Sequence, residues 1–504
     1  MNQVKAGALL NYVIIGLNSM LGLLYTPYML RCLGQNEYGL YSLVASIIAY
    51  LTILDFGFGN AIVRYTAKFR AEEKHSEQWE MFGMFLLIYT LIGVLALLTG
   101  LMLYVNVDKL FDNTMSLDDL NQARVMMIFL IINLAVTFPF SIFGSIIIAY
   151  EDFVFQKVIQ IARILLCTAT LVLILNLGYK AVAMVVTQTI FNIATLLINY
   201  FYCRYKLKIK IWLHGFNWKF MKEITIYSFW NFLNAIMDRI YWGTGQFVLG
   251  AISGTIAVAI FSVAITLQQM YMMFSTSIAG VLLPRITAMV TNHKSDKEIS
   301  NLFISTGRLQ AIVMLMILSG FIVFGRGFIY LWAGPDYGES YIITLIFFIS
   351  LFIPLIQNVG ISILQARNQL KFRSISYVCI AFISVGCQIW LSSLFGTVGC
   401  AIAIGAALFV GQGVVMNIYY AIRQHLDIVL FWKEIGRMML IPFVLTILGL
   451  LSQRYFNYTN IYILCIGIIV FCLIYTPLFY SLSMNDYERN LLKVPLLRLC
   501  HRLR

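Results

Sequence analysis

Charge is what this sequence has least of. Only 11% of its 504 residues are Asp, Glu, Lys or Arg, against about 25% in a typical soluble domain. A chain so poor in charge has no ordinary solvated surface. Chemistry-bearing motifs are missing as well. The nine cysteines stand singly at Cys32, Cys167, Cys203, Cys379, Cys387, Cys400, Cys465, Cys472 and Cys500, with no C-x-x-C pair, which argues against a metal or redox motif. The five histidines (His75, His214, His293, His425 and His501) all fall outside the apolar segments, in stretches expected to be cytosolic, so no histidine relay is expected within those segments. There is no phosphate-cradling G-x-x-x-x-G-K-[ST] loop, no H-E-x-x-H and no G-x-S-x-G. ATP hydrolysis, zinc peptidase chemistry and serine hydrolysis are therefore not expected, and no cofactor or metal is implied. The amino terminus has no cleavable signal pattern, and its apolar stretch is expected to stay as a first helix.

What the chain has is apolar residue, 61% of the total. It is gathered into fourteen segments near 8–30, 37–58, 81–105, 124–149, 157–177, 181–202, 222–250, 255–283, 302–325, 340–365, 374–395, 398–421, 438–453 and 460–481. A hydrocarbon core about 30 Å thick needs about 20 helical residues per crossing, so each segment suffices for one. Unbroken apolar runs predict helices, because a barrel would alternate in strands of about ten residues. The predicted fold class is an all-α polytopic membrane protein of 14 transmembrane helices, with no room for a soluble catalytic domain. Residues 423–437 and 484–504 mix basic and apolar side chains and read as short interfacial helices.

The net charge of +13 does not point to nucleic acid, given where the charge lies. With a cytosolic amino terminus and alternating sides, most Lys and Arg fall on the cytosolic side, in Arg64 to Lys74, Arg204 to Lys222, Arg285 to Lys297, Arg367 to Arg373 and Arg489 to Arg504. Both termini are then cytosolic. Anionic membrane lipids are sufficient partners for these segments.

The longest basic connection, Arg204 to Lys222, separates six spans from eight. A weak repeat follows the same division. Leu33-Gly34, Tyr41-Ser42 and Arg64-Tyr65-Thr66-Ala67 are echoed by Leu249-Gly250, Phe261-Ser262 and Arg285-Ile286-Thr287-Ala288. From aromatic to arginine is 23 residues in one copy and 24 in the other. Six spans is an even number, so both copies start in the cytosol and the repeat is parallel. The expected domains are a six-helix lobe over 1–210, a second over 211–425 related to it by a pseudo-twofold, and two extra helices with a basic tail over 426–504.

Polar groups enter the membrane at few places. In the seventh span Asn231, Asn234 and Asp238 share one helical face, extended by Tyr227 and Tyr241, with Arg239 beside Asp238. Asp238 follows Lys222 by 16 residues, about 24 Å along a helix, too deep for easy snorkelling. Two readings stay open for the charges: a structural pair locking helices, or the lining of a water-filled cavity. In the first span Asn11, Asn18 and Tyr25 recur every seven residues, with Arg31 at the outer end. These asparagines serve either as bonds between helices or as cavity lining. Arg163 is close enough to Lys157 to snorkel towards the cytosol. Asp55 reads as a helix-end group. Arg64 and Arg285 end the second span of each copy and together could receive a phosphate.

The run Leu30-Arg31-Cys32-Leu33-Gly34-Gln35-Asn36-Glu37-Tyr38-Gly39-Leu40-Tyr41-Ser42 resembles the signature of bacterial polysaccharide-biosynthesis flippases of the O-antigen and capsule type. These belong to the multidrug/oligosaccharidyl-lipid/polysaccharide exporter superfamily. Leu54-Asp55-Phe56-Gly57-Phe58-Gly59 with Arg64, Asp238-Arg239 with Leu249-Gly250, and Leu283-Pro284-Arg285 are similar to the rest of the pattern. Val258-Ala259-Ile260-Phe261-Ser262 departs from the family's Gly-x-Tyr-Ser element. The resemblance implies two six-helix lobes around a cationic cavity plus two helices. It implies transport, without enzymatic activity, of an undecaprenyl-diphosphate-linked oligosaccharide from the cytosolic to the outer leaflet of the plasma membrane by alternating access. On that reading Arg31, Arg239, Arg285 and Arg64 meet phosphate, Asn11, Asn18, Asn231, Asn234 and Tyr241 meet sugars, and Asp238 couples to H⁺ or Na⁺ or holds Arg239. Polysaccharide polymerase machinery is an expected partner.

Three rivals remain. A cation-coupled drug antiporter of the same superfamily should hold acids in its cavity, whereas deep arginines outnumber deep acids here. A membrane-embedded glycan polymerase or ligase would carry a large external loop, and the longest one here is under twenty residues. A scaffold or receptor without transport is the third.

Overall fold

The computed structural model describes residues 3–55, 57–213, 218–292, 294–367 and 369–490. Among the described residues there is no β-strand. The helices are α1 (Gln3–Leu51), α2 (Phe58–Ala71), α3 (His75–Val105), α4 (Val107–Phe111), α5 (Leu117–Ala149), α6 (Phe153–Asn176), α7 (Ala181–Phe201), α8 (Trp218–Thr291), α9 (Asp296–Trp332), α10 (Ser340–Ile356), α11 (Asn358–Ala366), α12 (Leu370–Leu408), α13 (Met416–Ile422), α14 (Ile428–Ser452) and α15 (Ile461–Leu482). Most carry apolar side chains on every face, as a helix crossing lipid must.

Eleven continuous helical stretches among the described residues are long and apolar enough to cross a membrane. Three of them contain a glycine break: Gly34 in α1 (φ 74°, ψ 174°), Gly254 in α8 (φ 81°, ψ −176°) and Gly396 in α12 (φ 56°, ψ −133°). Each break divides one stretch in two, which yields the fourteen crossings expected from hydropathy. The first two glycines occupy a backbone region that essentially only glycine tolerates.

These breaks correct the register of the internal repeat. Gly34 corresponds to Gly254 rather than to Gly250. With that pairing, the aromatic-serine pair follows seven residues later in both copies, at Tyr41-Ser42 and Phe261-Ser262. Pairing Gly34 with Gly250 instead would leave the second loop 4 residues longer than the first. Likewise Gly178 (φ 85°) joins α6 to α7 where Gly396 joins the two segments of α12.

The chain divides into two compact units: Met1–Ser262 with Gln388–Thr397, and Val263–Cys387 with Val398–Arg504. In the first, α3 and α5 approach closely where Gly93 meets the Ala135 carbonyl and Gly100 meets Ile131. α5 and α7 are joined by Asn192 Nδ2, which donates to Asn133 Oδ1 at 2.7 Å and to Thr137 Oγ1 at 2.8 Å. Such hydrogen bonds suit helices whose surroundings offer no water. α1 and α8 touch at backbone distance, because a Cβ on Gly39 would lie 1.9 Å from the Thr255 carbonyl oxygen.

The basic connection after α7 is also pinned within this unit. Trp212 N–H donates to the Trp79 carbonyl at 3.1 Å, and the two indoles meet edge to face at 5.2 Å. A Cβ on Gly83 would sit 1.7 Å from the Trp212 carbonyl oxygen. That neighbour is backbone and cannot swing aside. Gly83→Val is therefore expected to cost about 1–3 kcal/mol, read as a lower unfolding temperature in detergent.

In the second unit α9 packs against α10, α14 and α15. Gln357 and Asn417 exchange side-chain hydrogen bonds of 2.8 and 3.2 Å, and Trp432 Nε1 donates to Asn417 Oδ1 at 2.9 Å. The interfacial helix expected over 423–437 is not separate. Asp427 caps α14 by accepting from the Leu430 N–H at 2.8 Å, and the helix runs unbroken from Ile428 through Arg437 into its span. Gly436 stays helical in that passage and Pro442 falls only after Arg437, so the basic residues ride on the first turns of the span. In 484–504, residues 486–490 form a short helix and 491–504 lie outside the described residues.

Candidate substrate site

Arg239 stands mid-way along the first segment of α8, 15 residues before Gly254 or about 22 Å along the axis. Its Nη2 donates to Thr52 Oγ1 at 3.1 Å. Thr52 opens the short 3-10 turn Thr52–Asp55 that follows α1, and its hydroxyl donates to the Ala49 carbonyl at 2.7 Å. A few residues away, the Tyr50 and Thr244 hydroxyls are hydrogen-bonded to each other. Two contacts thus stitch the end of α1 to α8 and fix where the guanidinium points.

Arg239 nonetheless remains exposed. A guanidinium carries five N–H donors, and Thr52 takes one of them. The donors that no described residue takes are suited, at this depth, to the oxygens of a phosphate or carboxylate. Asp238, the preceding residue, is also exposed. Consecutive residues on a helix point about 100° apart, so the two present different directions to their surroundings.

The first segment of α1 carries the other stripe. Asn11 and Asn18 are exposed. Lys157 Nζ on α6 donates to Asn11 Oδ1 at 2.9 Å. Tyr25, half-buried, has Tyr41, Tyr28 and Cys167 as electrostatic neighbours, and Cys167 in turn neighbours Arg163. Tyr41 exchanges hydrogen bonds of 3.1 and 3.0 Å with Gln188 on α7. The exposed face of α6 formed by Gln160 and Arg163 therefore belongs to the neighbourhood of the α1 stripe. The sequence suggests snorkelling towards the cytosol for Arg163 and no role for Lys157, whereas the structure sets Lys157 against Asn11 of α1.

Other expected residues take simpler places. Arg31 is exposed on α1, three residues before the Gly34 break, and Arg64 is exposed on α2. Tyr241 is 5% exposed, so it forms part of the α8 packing and not an open surface. Asp55 is a helix-end group whose carboxylate is hydrogen-bonded by the Tyr89 hydroxyl of α3. The side chains of Asn231, Asn234, Tyr227 and Arg285 lie outside the described residues. Among the described residues, no three His, Cys, Asp or Glu side chains gather as a metal site.

The sequence pattern gave no sign of one further charged cluster. Arg308 on α9 is 5% exposed. Its Nε donates to Glu488 Oε1 at 2.6 Å, its Nη2 to Glu488 Oε2 at 3.0 Å and its Nη1 to Glu434 Oε2 at 2.7 Å. The three residues come from distant stretches of chain, and no local spacing announces them.

Residues 4–290 match the family model described as polysaccharide biosynthesis protein. No curated protein matches the chain. Among solved structures, the chain is similar to the lipid II flippase MurJ in an inward closed conformation, with 15% identity, a TM-score of 0.72, and coverage of 94% of this chain and 98% of that one. It is also similar to a multidrug resistance MATE family transporter of the MOP superfamily in an inward-facing conformation, with 13% identity, a TM-score of 0.64, and coverage of 82% and 99%. These likenesses establish a shared all-α polytopic fold. With more than half its length matched by the family model, the chain belongs to the polysaccharide biosynthesis protein family of membrane proteins.

Proposed function

We propose that this protein is a transporter, not an enzyme, that moves an undecaprenyl-diphosphate-linked oligosaccharide from the cytosolic to the outer leaflet of a bacterial plasma membrane. The observation that carries the reading is Arg239, anchored by Thr52 yet exposed in the middle of a spanning segment. An exposed guanidinium at that depth costs several kcal/mol against lipid, and little against water. A solvated, cationic cavity is the setting in which a diphosphate and several sugars could cross, since their polar groups cannot shed hydration uncompensated. The isoprenoid tail has no such need and can stay in the bilayer.

Within that cavity Arg239, Arg31 and Arg64 serve the diphosphate, and Asn11 and Asn18 serve sugar hydroxyls, with Lys157 and Arg163 adding positive charge. Arg285, Asn231 and Asn234 are proposed for the same duties on sequence grounds alone. Asp238 is the proposed coupling site for H⁺ or Na⁺. Movement would follow alternating access by two six-helix lobes, 1–210 and 211–425, with 426–504 appended. The charge bias supports cytosolic termini, and polysaccharide polymerase machinery is the natural recipient of the product.

Deletion of the gene tests the reading. Lipid-linked glycan is expected to accumulate on the cytosolic leaflet, inaccessible to externally added glycan-modifying enzyme. Accumulation on the outer leaflet would make the protein a polymerase or ligase, and no accumulation would favour drug efflux.

A further inference from the structure

The second unit holds a cleft of about 800 Å³ where the end of α9 and the start of α10 meet the connection between α14 and α15. By the charge bias of the sequence this end faces away from the cytosol, opposite the basic loops. Its frame is rigid. Tyr458 packs edge to face on Phe324 at 5.0 Å and hydrogen-bonds Ser452 Oγ at 2.8 Å. Asn457 Oδ1 closes the turn by accepting from the Thr459 N–H at 3.1 Å and hydroxyl at 2.7 Å. Gly327 lets α9 pass against the backbone of this connection, since a Cβ there would lie 2.3 Å from the Tyr458 carbonyl oxygen. Across the cleft the Tyr341 hydroxyl donates to the Ile322 carbonyl at 2.9 Å.

On this frame sit two arginines and two open aromatic rings. Arg326 lies 5.2 Å from the centroid of the Tyr341 ring, which orients its guanidinium. Arg454 lines the facing wall and makes no ion pair among the described residues. Tyr330 is 46% exposed and Tyr455 84% exposed, and both line the cleft. The Glu339 carboxylate also lines the cleft. Interfacial anchoring accounts for aromatic residues at a membrane surface, but it does not call for two arginines around a preformed concavity.

We infer that this cleft binds an acidic saccharide on the non-cytosolic face of the protein. Guanidinium forks match the carboxylates of uronic or ketosidic acids. Tyrosine offers an apolar ring for the sugar face with a hydroxyl at its tip, and a carboxylate such as Glu339 accepts from sugar hydroxyls. The cleft lies wholly within the second unit and involves none of the residues proposed for transport, so it stands apart from that reading. Anionic lipid headgroups present related chemistry at the same surface, and the test must separate the two.

The test uses the full-length protein in nanodiscs of neutral phosphatidylcholine, titrated calorimetrically with tetragalacturonate, with its methyl ester as an uncharged counterpart, and with glycerol phosphate. Saturable binding of tetragalacturonate is expected, with the ester and glycerol phosphate each about tenfold weaker or more. Arg454→Gln and Tyr455→Ala, both on exposed side chains, should each weaken tetragalacturonate binding about fivefold or more with the unfolding temperature unchanged. Absence of saturable binding, equal binding by wild type and both variants, or equal affinity for the methyl ester would overturn the inference. Equal or tighter binding of glycerol phosphate would overturn it in favour of a headgroup site.

Discussion

Replacing Arg308 by alanine is expected to cost about 3–5 kcal/mol. Arg308 is held by two carboxylates, with its side chain 6% exposed, Glu488 1% and Glu434 24%. Its Nη2 also donates to the Ser483 carbonyl at 3.0 Å, so one guanidinium ties α9 to α14 and to the segment after α15. Glu488 is further fixed by the Asn485 N–H at 3.0 Å, and its own N–H donates to Asn485 Oδ1 at 2.9 Å. Removing the arginine leaves the Glu488 carboxylate buried without its cation, next to a second, partly exposed acid. Glu434→Gln should cost less, about 1 kcal/mol, because Glu434 is partly exposed and also engages the solvent-facing Arg437. Replacing Arg308, Glu434 and Glu488 together by apolar residues of similar volume should recover most of the loss, since the desolvation cost leaves with the charges. Thermal unfolding in detergent reads all three. An Arg308→Ala protein as stable as wild type would show that the network contributes nothing.

Arg239→Ala is expected to lower glycan export about tenfold or more at unchanged protein abundance. Charge-assisted hydrogen bonds to a phosphate contribute about 1.5–3 kcal/mol each, and the exposed fork supplies more than one. Arg239→Lys keeps the charge but loses the planar geometry, so it should fall between the two. Because Arg239 is exposed and, among the described residues, bonded to a single hydroxyl, its removal strands no described buried partner and the fold should tolerate it. Asp238→Asn separates roles: loss of export with retained substrate binding would mark the carboxylate as the coupling group. Full export by both variants would remove them from the mechanism.

The spans were legible in the sequence because lipid demands unbroken apolar helices, and that demand writes itself into every crossing. Gly34 and Gly254 were harder. Several glycines sit near each break, and only the backbone angles reveal which of them takes the left-handed turn, which is why Gly250 stood in for Gly254. Helix continuity through Arg437 was also hidden, since basic residues at a span's first turns resemble a surface helix. For the site, Arg239 was visible as a charge too deep to snorkel, while its anchor Thr52 was not, because a lone threonine at the end of a span carries no pattern. Tyr241 fell on the predicted polar stripe yet is buried, as tyrosine satisfies an apolar neighbour as readily as a polar one. Arg308 escaped notice because its partners are more than a hundred residues away in sequence.

The central claim is transbilayer movement of a lipid-linked glycan. The direct measurement places the purified protein in liposomes carrying an undecaprenyl-diphosphate oligosaccharide and follows the share of glycan exposed to an impermeant glycosidase over time. Wild-type protein should drive exposure of the protected pool beyond the half accessible at the start, and Arg239→Ala should leave most of that pool protected. A protected pool that stays fixed with wild-type protein present, with or without an imposed H⁺ or Na⁺ gradient, would contradict the account.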